Sequence, residues 1–572
     1  LLDPQVCSLV LALLIRDNAD YACNFDPRSW PDGLDCEIFT ADLLEEAAQN
    51  AHHPFDREHV TPYMRANRHR IKVAQVTCPI PGVARQGWTL DYQEDLDFLR
   101  ALVAKLPDPN RPPTWLEVLA VIEENPELNR ILTKPGRGYA SLSASKGEGR
   151  SYKASEQLLD RARSVIPLGS QTISKSFTQY PREAPKFLAG GEGARVWDVD
   201  GNSYVDLVSG LLPVVLGYRD PDVDEAIRKQ LSNGISFSLA TGLEVELAER
   251  LVELIPCAEM VRFGKNGTDA TSAAVRLARA FTGRDRVAVC GYHGWQDWYI
   301  GVTTRNKGVP SGVSDLTHSF PYNDLDALAE ILNEHPEEFA AVIMEPVNVS
   351  EPAPGYLESV KKLTQEHSAL FVFDEIIAGF RFSLGGAQDY FGVTPDLACF
   401  GKAMGNGMPI SAIVGRADVM QEMEEVFFSG TFGGETLSLA AAIATIDKMR
   451  REPVIEHLWE TGVALAAGAE ERIAKHGLED IIKLNGLAPW KLLALEGQPD
   501  SSANAIRTVF IREMLRNGVL VNGSHNVSYS HGPDEIKDIF AAYDQTLEVL
   551  AEELETGDLD KRLGNNVIQP VF

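Results

Sequence analysis

Cysteine is scarce in this sequence and unpaired. Seven residues are spread as Cys7, Cys23, Cys36, Cys78, Cys257, Cys290 and Cys399, an odd number with no Cys-x-x-Cys pair. That excludes a disulfide framework and a cysteine zinc site, and it fits a reducing, cytosolic compartment. Long hydrophobic runs are missing as well. The strongest one near the start, residues 6–15, is too short to span a bilayer and has no basic stretch before it. It reads as a buried helix. Positive charge is in deficit, with 53 Lys and Arg against 82 Asp and Glu and a formal charge of −29. The excess is −6 over residues 1–150 and −23 over the remainder, so no single acidic tail accounts for it. Nucleic acids and anionic membranes need clustered Lys and Arg, and both are excluded as general partners.

What is present is length and apolar content: 572 residues, 44% of them hydrophobic. At roughly 150 residues per domain this allows about four domains or one large two-domain unit. Residues 1–105 alternate short apolar runs with charged turns. Residues 106–155 read as a helical linker, with Pro107, Pro109, Pro112 and Pro113 at one end, Lys134-Pro-Gly-Arg-Gly at the other, and one helix over 115–132 between them. From 156 onward the pattern is strand, turn, helix, repeated, which indicates an α/β fold. Ala340-Ala-Val-Ile-Met and Ala369-Leu-Phe-Val-Phe are continuous apolar runs ending in acids, with a helical stretch at 355–367 between them. Such runs suit strands buried on both faces of a parallel sheet, with chemistry at their carboxyl ends.

The most informative stretch is Phe371-Val-Phe-Asp-Glu-Ile-Ile-Ala-Gly-Phe-Arg381, followed by Phe400-Gly-Lys402-Ala-Met-Gly-Asn-Gly-Met-Pro409. A strand-end acid and a lysine in a glycine-rich turn are what pyridoxal phosphate chemistry needs. The lysine forms a Schiff base with the aldehyde, and the carboxylate keeps the pyridine nitrogen protonated. Phe263-Gly-Lys-Asn-Gly-Thr268 leads into a helix and offers a phosphate cradle. Cys290-Gly-Tyr292-His293-Gly294 supplies an aromatic that could stack on a flat cofactor, and Ser429-Gly-Thr431-Phe-Gly-Gly-Glu435 is a second small-residue loop before a helix. Each piece alone has an ordinary reading: Lys402 as a surface lysine, Asp374 as a turn carboxylate, Gly267-Thr268 as a helix cap, Tyr292 as core or interface.

In order and spacing these pieces resemble the class III, fold-type-I pyridoxal-phosphate aminotransferases, and within them the glutamate-1-semialdehyde 2,1-aminomutases. The resemblance covers about residues 156–550 and includes Val196-Trp-Asp-Val-Asp-Gly-Asn-Ser-Tyr, Glu259-Met-Val-Arg-Phe, Arg276-Leu-Ala-Arg-Ala-Phe-Thr-Gly-Arg-Asp, Pro321-Tyr-Asn-Asp-Leu and Phe391-Gly-Val-Thr-Pro-Asp-Leu. It implies a large cofactor domain over about 210–450, a small α+β domain from the flanking segments of 156–572, and a homodimer with shared active sites. It implies that Lys402 is the Schiff-base lysine and proton carrier, that Asp374 pairs with the pyridine nitrogen, and that Asn266, Gly267 and Thr268 hold the phosphate. Tyr292 would stack on the ring, His293 and Ile376 would complete the cofactor set, and Thr431 would reach the neighbouring subunit's phosphate. Glu345, in Met344-Glu-Pro-Val, stands either in support of the site or as simple strand-end structure.

Three departures bear on the substrate. Lys175 stands where the aminomutases have a carboxylate-binding arginine, keeping the charge but not the bidentate fork. Trp295 replaces the second histidine of their Tyr-His-Gly-His. Their late Phe-Glu-Ala-Gly loop is absent, and the chain instead runs Val521-Asn-Gly-Ser-His525-Asn526-Val-Ser-Tyr-Ser-His531. Lys175, Trp295, His525 and Asn526 are therefore candidate substrate residues. The expected partners are small-molecule amino donors and acceptors, with a small polar carbonyl or keto-sugar compound as substrate.

The N-terminal motifs Trp30-Pro-Asp-Gly-Leu-Asp35-Cys-Glu37-Ile-Phe, Asp56-Arg-Glu-His59-Val-Thr-Pro-Tyr63 and Trp88-Thr-Leu-Asp91-Tyr-Gln-Glu-Asp95 resemble the back half of the spore-coat and acidic-sugar cytidylyltransferases. The resemblance implies a partial α/β nucleotidyltransferase-like domain in which Asp91 helps to bind Mg2+. The plain reading is that Asp91 and Asp95 start a helix. The chain opens Leu1-Leu-Asp without an initiator Met, as a piece of a longer protein would. The resemblance puts the nucleotide loop upstream of that start, so this part is expected to be inactive or a scaffold, with Mg2+ relevant only to a complete domain. Pairing the two activities suggests surface-polysaccharide synthesis. The rival reading makes the whole chain a sugar-acid cytidylyltransferase with a non-catalytic aminotransferase-like assembly domain. A purely structural dimerisation module is disfavoured by the presence together of Asp374, Lys402, Thr268 and Thr431.

Overall fold

Chain contacts divide the protein into two units, Leu1–Lys146 and Gly147–Phe572. The structure, a computed structural model, describes residues 3–25, 29–51, 61–66, 70–80, 83, 86–90, 93–108, 111–125, 128 and 150–569.

The first unit holds a small sheet of β1 (Tyr21–Cys23), β2 (Glu37–Phe39) and β3 (Val73–Gln75), in the order β2-β1-β3. β1 runs antiparallel to β2 and parallel to β3. The first helix, Pro4–Asp17, begins at Asp3, whose carboxylate accepts the Gln5 N–H at 2.7 Å. It departs from the expected buried helix. Val6 and Val10 are buried, whereas Leu9, Leu11 and Ile15 are exposed. A three-stranded sheet covers only one stripe of a helix, and the remaining apolar side chains stay outside. The segment read as a linker also differs. The helix there is Trp115–Glu124, started by a capping box of Thr114 and Glu117. It buries Trp115, Val118, Leu119, Val121 and Ile122 in a core with Trp30, Trp88 and Phe98. Those five side chains recur at helical spacing, so the helix is an integral layer of the first unit.

The second unit adds β4 (Leu188–Glu192), β5 (Arg195–Asp198), β6 (Ser203–Asp206), β7 (Met260–Gly264), β8 (Arg286–Cys290), β9 (Thr317–Ser319), β10 (Phe339–Met344), β11 (Leu370–Glu375), β12 (Leu397–Phe400), β13 (Ser411–Gly415), β14 (Ile482–Asn485), β15 (Trp490–Leu495), β16 (Val519–Leu520) and β17 (Ser524–Asn526). Its central sheet has the order β7-β13-β12-β11-β10-β8-β9. The β8–β9, β8–β10, β10–β11 and β11–β12 pairs are parallel, and β13 is antiparallel to both its neighbours. Every residue of β10 and β11 is buried. This is the physical content of the two uninterrupted apolar runs, which are covered on both faces by helices such as Gly267–Thr282 and Tyr356–Glu366. Of two smaller sheets, β16-β6-β5-β4 joins segments from before and after the central sheet, and β14-β15-β17 is built from segments that follow it.

Among the described residues no helix is long and apolar enough to cross a membrane.

Candidate active site

The parallel strands all discharge their loops at one edge of the sheet, and the candidate residues gather there. β11 carries Asp374 one position before its end, and β12 pairs with it in the register Asp374↔Cys399 and Glu375↔Phe400. Lys402 therefore leaves the sheet two residues past the neighbouring strand. It opens the short turn Lys402–Gly405 with a φ of +38°. A left-handed backbone at a side chain other than glycine costs about 1–2 kcal/mol. Strain of this kind persists where the surrounding structure holds it, commonly at functional sites.

β8 delivers the loop Gly291-Tyr292-His293-Gly294. Its imidazole turns back towards β11, where His293 Nδ1 lies 2.8 Å from Asp374 Oδ2, with both side chains buried. The Ile376 N–H donates to the other carboxylate oxygen of Asp374 at 3.1 Å. The loop is anchored behind by the Thr271 hydroxyl, which donates to the His293 carbonyl at 2.8 Å. Thr271 belongs to the helix Gly267–Thr282, whose first turn supplies Gly267 and Thr268. Asp269 accepts the N–H groups of Lys265 and Asn266 at 3.0 and 2.8 Å. The N–H groups of Gly267 and Thr268 have no acceptor within the helix, as is general for a first turn.

Lys402 is partly buried, and desolvation brings its amine down from 10.5 to about 8, with Glu345 and Asp374 pulling upward and Arg381 downward. Burial and the nearby Asp374 lift Glu345 to about 7, against the opposing pull of His293, the Tyr292 N–H and Lys402. The site thus holds an amine that can be neutral near physiological pH beside a carboxyl that can be protonated there.

The residues fit a flat phosphorylated aldehyde. Thr268 Oγ1 and His293 Nε2 are buried with no hydrogen-bond partner. A Cβ on Gly267 would strike the Ile376 side chain at 2.9 Å, and one on Gly294 would fall 2.4 Å from Thr268 Oγ1. Helix-start amides with a free hydroxyl suit a phosphate dianion. Asp374 carries the imidazole at 2.8 Å and acts electrostatically on the Lys402 amine.

The other candidates differ in exposure and contacts. The Tyr292 ring is half exposed and meets Tyr299 edge-on, with centroids 5.7 Å apart. Trp295 is 65% exposed. Thr431 lies in an exposed turn. Lys175, in the turn Ile173–Lys175, is exposed, and its charge acts on the buried Asp206. His525 and Asn526 are buried on β17. The His525 Nε2 is 2.6 Å from the Tyr543 hydroxyl, and the Asn526 amide donates to the Val208 carbonyl at 2.7 Å. His525 Nδ1 and Asn526 Oδ1 are buried with no hydrogen-bond partner among the described residues. Asp91 lies outside the described residues, as do Asp56 and His59.

Arg381, which the sequence offers only as the end of a motif, is fully buried. Its guanidinium donates to the carbonyls of Leu212 at 2.9 Å, Val527 at 3.0 Å and Pro489 at 3.4 Å, and burial brings it down to about 10. It ties three distant segments together beside Lys402. An arginine between phenylalanines, Phe380-Arg381-Phe382, was the available signal.

The family model of the class III aminotransferases matches residues 179–542. The chain belongs to that family. It is 37% identical over 411 residues to a 3-aminobutyryl-CoA aminotransferase of Cloacimonas acidaminovorans, covering 70% of this chain and 96% of the relative. It is 34% identical over 421 residues to a glutamate-1-semialdehyde 2,1-aminomutase of Methanosarcina acetivorans, covering 69% and 98%. Among solved structures, the PLP-containing FumI protein of Sphingopyxis sp. MTA144 matches with a TM-score of 0.67 at 30% identity, over 72% of this chain and 100% of that one. An omega-transaminase of Sphaerobacter thermophilus matches with a TM-score of 0.64 at 28% identity, over 69% and 98%. The second unit of this class III aminotransferase has the fold-type-I architecture, and the enzyme is dependent on pyridoxal phosphate. The family model's match begins at residue 179, after the N-terminal motifs that resemble the cytidylyltransferases.

Proposed function

We propose that this enzyme moves an amino group to or from a small polar carbonyl compound of the keto-sugar type, between two substrates or within one molecule. The observation that carries the reading is the Lys402 amine at the sheet's edge, brought down to about 8 by desolvation beside Glu345 and Asp374. Pyridoxal phosphate supplies an aldehyde that bonds amines and a protonated ring that withdraws electrons from them. In this reading Lys402 takes and returns the proton at the carbon bearing the amine, a task that needs an amine neutral near working pH. Asp374, oriented by His293, holds the proton on the ring nitrogen. The Gly267 and Thr268 N–H groups, the Thr268 hydroxyl and Asn266 hold the phosphate, while Ile376 and Tyr292 lie against the ring. Lys175 and Trp295 contribute to the substrate side.

The reading includes a homodimer in which Thr431 serves the partner's phosphate. Support comes from exposed apolar side chains on the same loop, Phe427 and Phe432, and on the adjoining segment, Phe237 and Leu239. The two segments are joined where the Thr436 N–H donates to the Ile235 carbonyl at 3.0 Å. Exposed apolar clusters of this kind mark interfaces. The first unit enters as a scaffold related to sugar-acid cytidylyltransferases, which points towards surface-polysaccharide synthesis.

The test is a screen of amino donors against the purified holoenzyme, scored by conversion of the cofactor from its visible-absorbing to its amine form. Amino sugars, β-amino acyl thioesters and glutamate-1-semialdehyde belong in the panel. Double isotope labelling of the substrate then separates transfer within one molecule from transfer between two. A protein that stays colourless after incubation with pyridoxal phosphate overturns the reading.

A further inference from the structure

Glu345 is the first residue beyond β10, and its N–H extends the parallel ladder by donating to the Cys290 carbonyl at 3.1 Å. Its side chain then does something the ladder does not require. Oε2 accepts the Tyr292 N–H at 2.9 Å and also the Asn348 amide. The approach is possible because Gly291 has no side chain and a φ of +109°; a Cβ there would lie 2.4 Å from Oε2. The same loop is held from its other side by the Tyr299 hydroxyl, which donates to the Gly291 carbonyl at 2.8 Å. The Tyr299 ring meets Tyr292 and His293 edge-on, at 5.7 and 5.3 Å. One buried carboxyl therefore grips, at its second residue, the loop that carries both Tyr292 and the imidazole bound to Asp374.

A buried carboxyl is costly to keep unless its acceptors are used. Here the cost is offset by backbone and amide donors and sits beside the chemistry, with no cation paired to it among its described hydrogen bonds. We propose that Glu345 is a positioning residue: by accepting the Tyr292 N–H it fixes the loop that aims the Tyr292 ring at the cofactor and His293 at Asp374. This rests on the proposed cofactor roles of Tyr292 and Asp374.

Three variants separate the position of the acceptor from its charge. Glu345→Gln keeps an acceptor oxygen at the same reach and loses the charge. Glu345→Asp keeps the charge and withdraws the oxygen by one methylene. Glu345→Ala removes both. In the cofactor-free protein, backbone amide exchange of the peptide spanning 290–294 is expected to rise about tenfold or more in Glu345→Ala and Glu345→Asp, and to stay within about threefold of wild type in Glu345→Gln. In the holoenzyme, the induced circular dichroism of the cofactor band is expected to fall in the same two variants, with pyridoxal phosphate bound about tenfold more weakly. Glu345→Gln behaving like Glu345→Ala while Glu345→Asp behaves like wild type would show that charge matters rather than position, and would overturn the proposal. So would unchanged exchange in Glu345→Asp. If Glu345→Ala does not fold, the Gln and Asp variants decide alone. A wild type that takes up no pyridoxal phosphate defeats the functional reading, while the exchange measurement still reports on the Glu345–Tyr292 bond.

Discussion

His293 Nδ1 and Asp374 Oδ2 are 2.8 Å apart and buried, from residues 81 positions apart in the chain. An acid one residue before the end of β11 is thereby backed by an imidazole from the loop after β8. Replacing Asp374 with Asn removes the charge at constant shape, and kcat is expected to fall by about 10²–10⁴. His293→Phe leaves the acid in place without its orienting partner, and a smaller loss of about 10–100-fold is expected, the scale seen when the group behind a functional ligand is removed. Single-turnover measurements of donor conversion distinguish the two. A His293→Phe effect as large as that of Asp374→Asn would contradict the subordinate role of the imidazole.

Lys402→Ala is expected to abolish the visible band of the bound cofactor and to cost at least about 10²–10⁴ in kcat. Lys402→Arg is expected to do the same, because a guanidinium cannot give up its proton in a protein. Retention of the band in either variant assigns the covalent role to another amine.

The pH dependence follows from burial of Lys402. Attack on the cofactor aldehyde needs the neutral amine, so the rate of cofactor capture by the apoenzyme is expected to rise with a midpoint at about 8 rather than at the ordinary 10.5. Below that midpoint the rate should fall about tenfold per pH unit. The sign for stability is the same. A lowered lysine disfavours the folded state when protonated, so its contribution is complete above 10.5 and is lost as pH falls through about 8. Stopped-flow absorbance across this range checks the kinetic part.

Gly294→Ala places a methyl group 2.4 Å from Thr268 Oγ1, at a backbone φ of +104°. Backbone strain alone costs about 1–3 kcal/mol, and the Thr268 hydroxyl must move away from the phosphate position. Weaker cofactor binding is expected together with reduced thermal stability of the apoprotein. Titration of pyridoxal phosphate against wild type and variant reads the first, and calorimetry the second.

Arg381→Lys is expected to lower stability by about 1.5–3 kcal/mol, the range for a hydrogen bond to a charged group. A point ammonium cannot reach the carbonyls of Leu212, Pro489 and Val527 together. Denaturant unfolding of the variant would show no change if Arg381 were only a filler.

The parts of the site that were legible beforehand are those in which one short segment carries both the residue and its placement. Asp374 follows from a strand buried on both faces, Lys402 from the turn after the next strand, and Gly267 and Thr268 from a helix start. The other parts depend on pairs that periodicity cannot reveal. Nothing local to Glu345 points to the Tyr292 amide on another strand's loop, and nothing local to Arg381 names its three carbonyls. The prolines before residue 115 mark a boundary of regular structure, whereas the buried face of helix 115–124 marks membership of a core. His525 and Asn526 stand out through a departure from a family pattern, while their partners, the Tyr543 hydroxyl and the Val208 carbonyl, are visible only in the fold.

The amino-acid sequence by itself determined the α/β layering, the cofactor class and the segments that meet at the sheet's edge, because burial pattern and turn chemistry are short-range properties. Only the tertiary structure decided which buried polar groups satisfy one another. The imidazole on Asp374, the carboxyl beneath Tyr292 and the lowered amine of Lys402 come from distances between strands that are separate in sequence and adjacent in the sheet, and from the desolvation that such packing imposes.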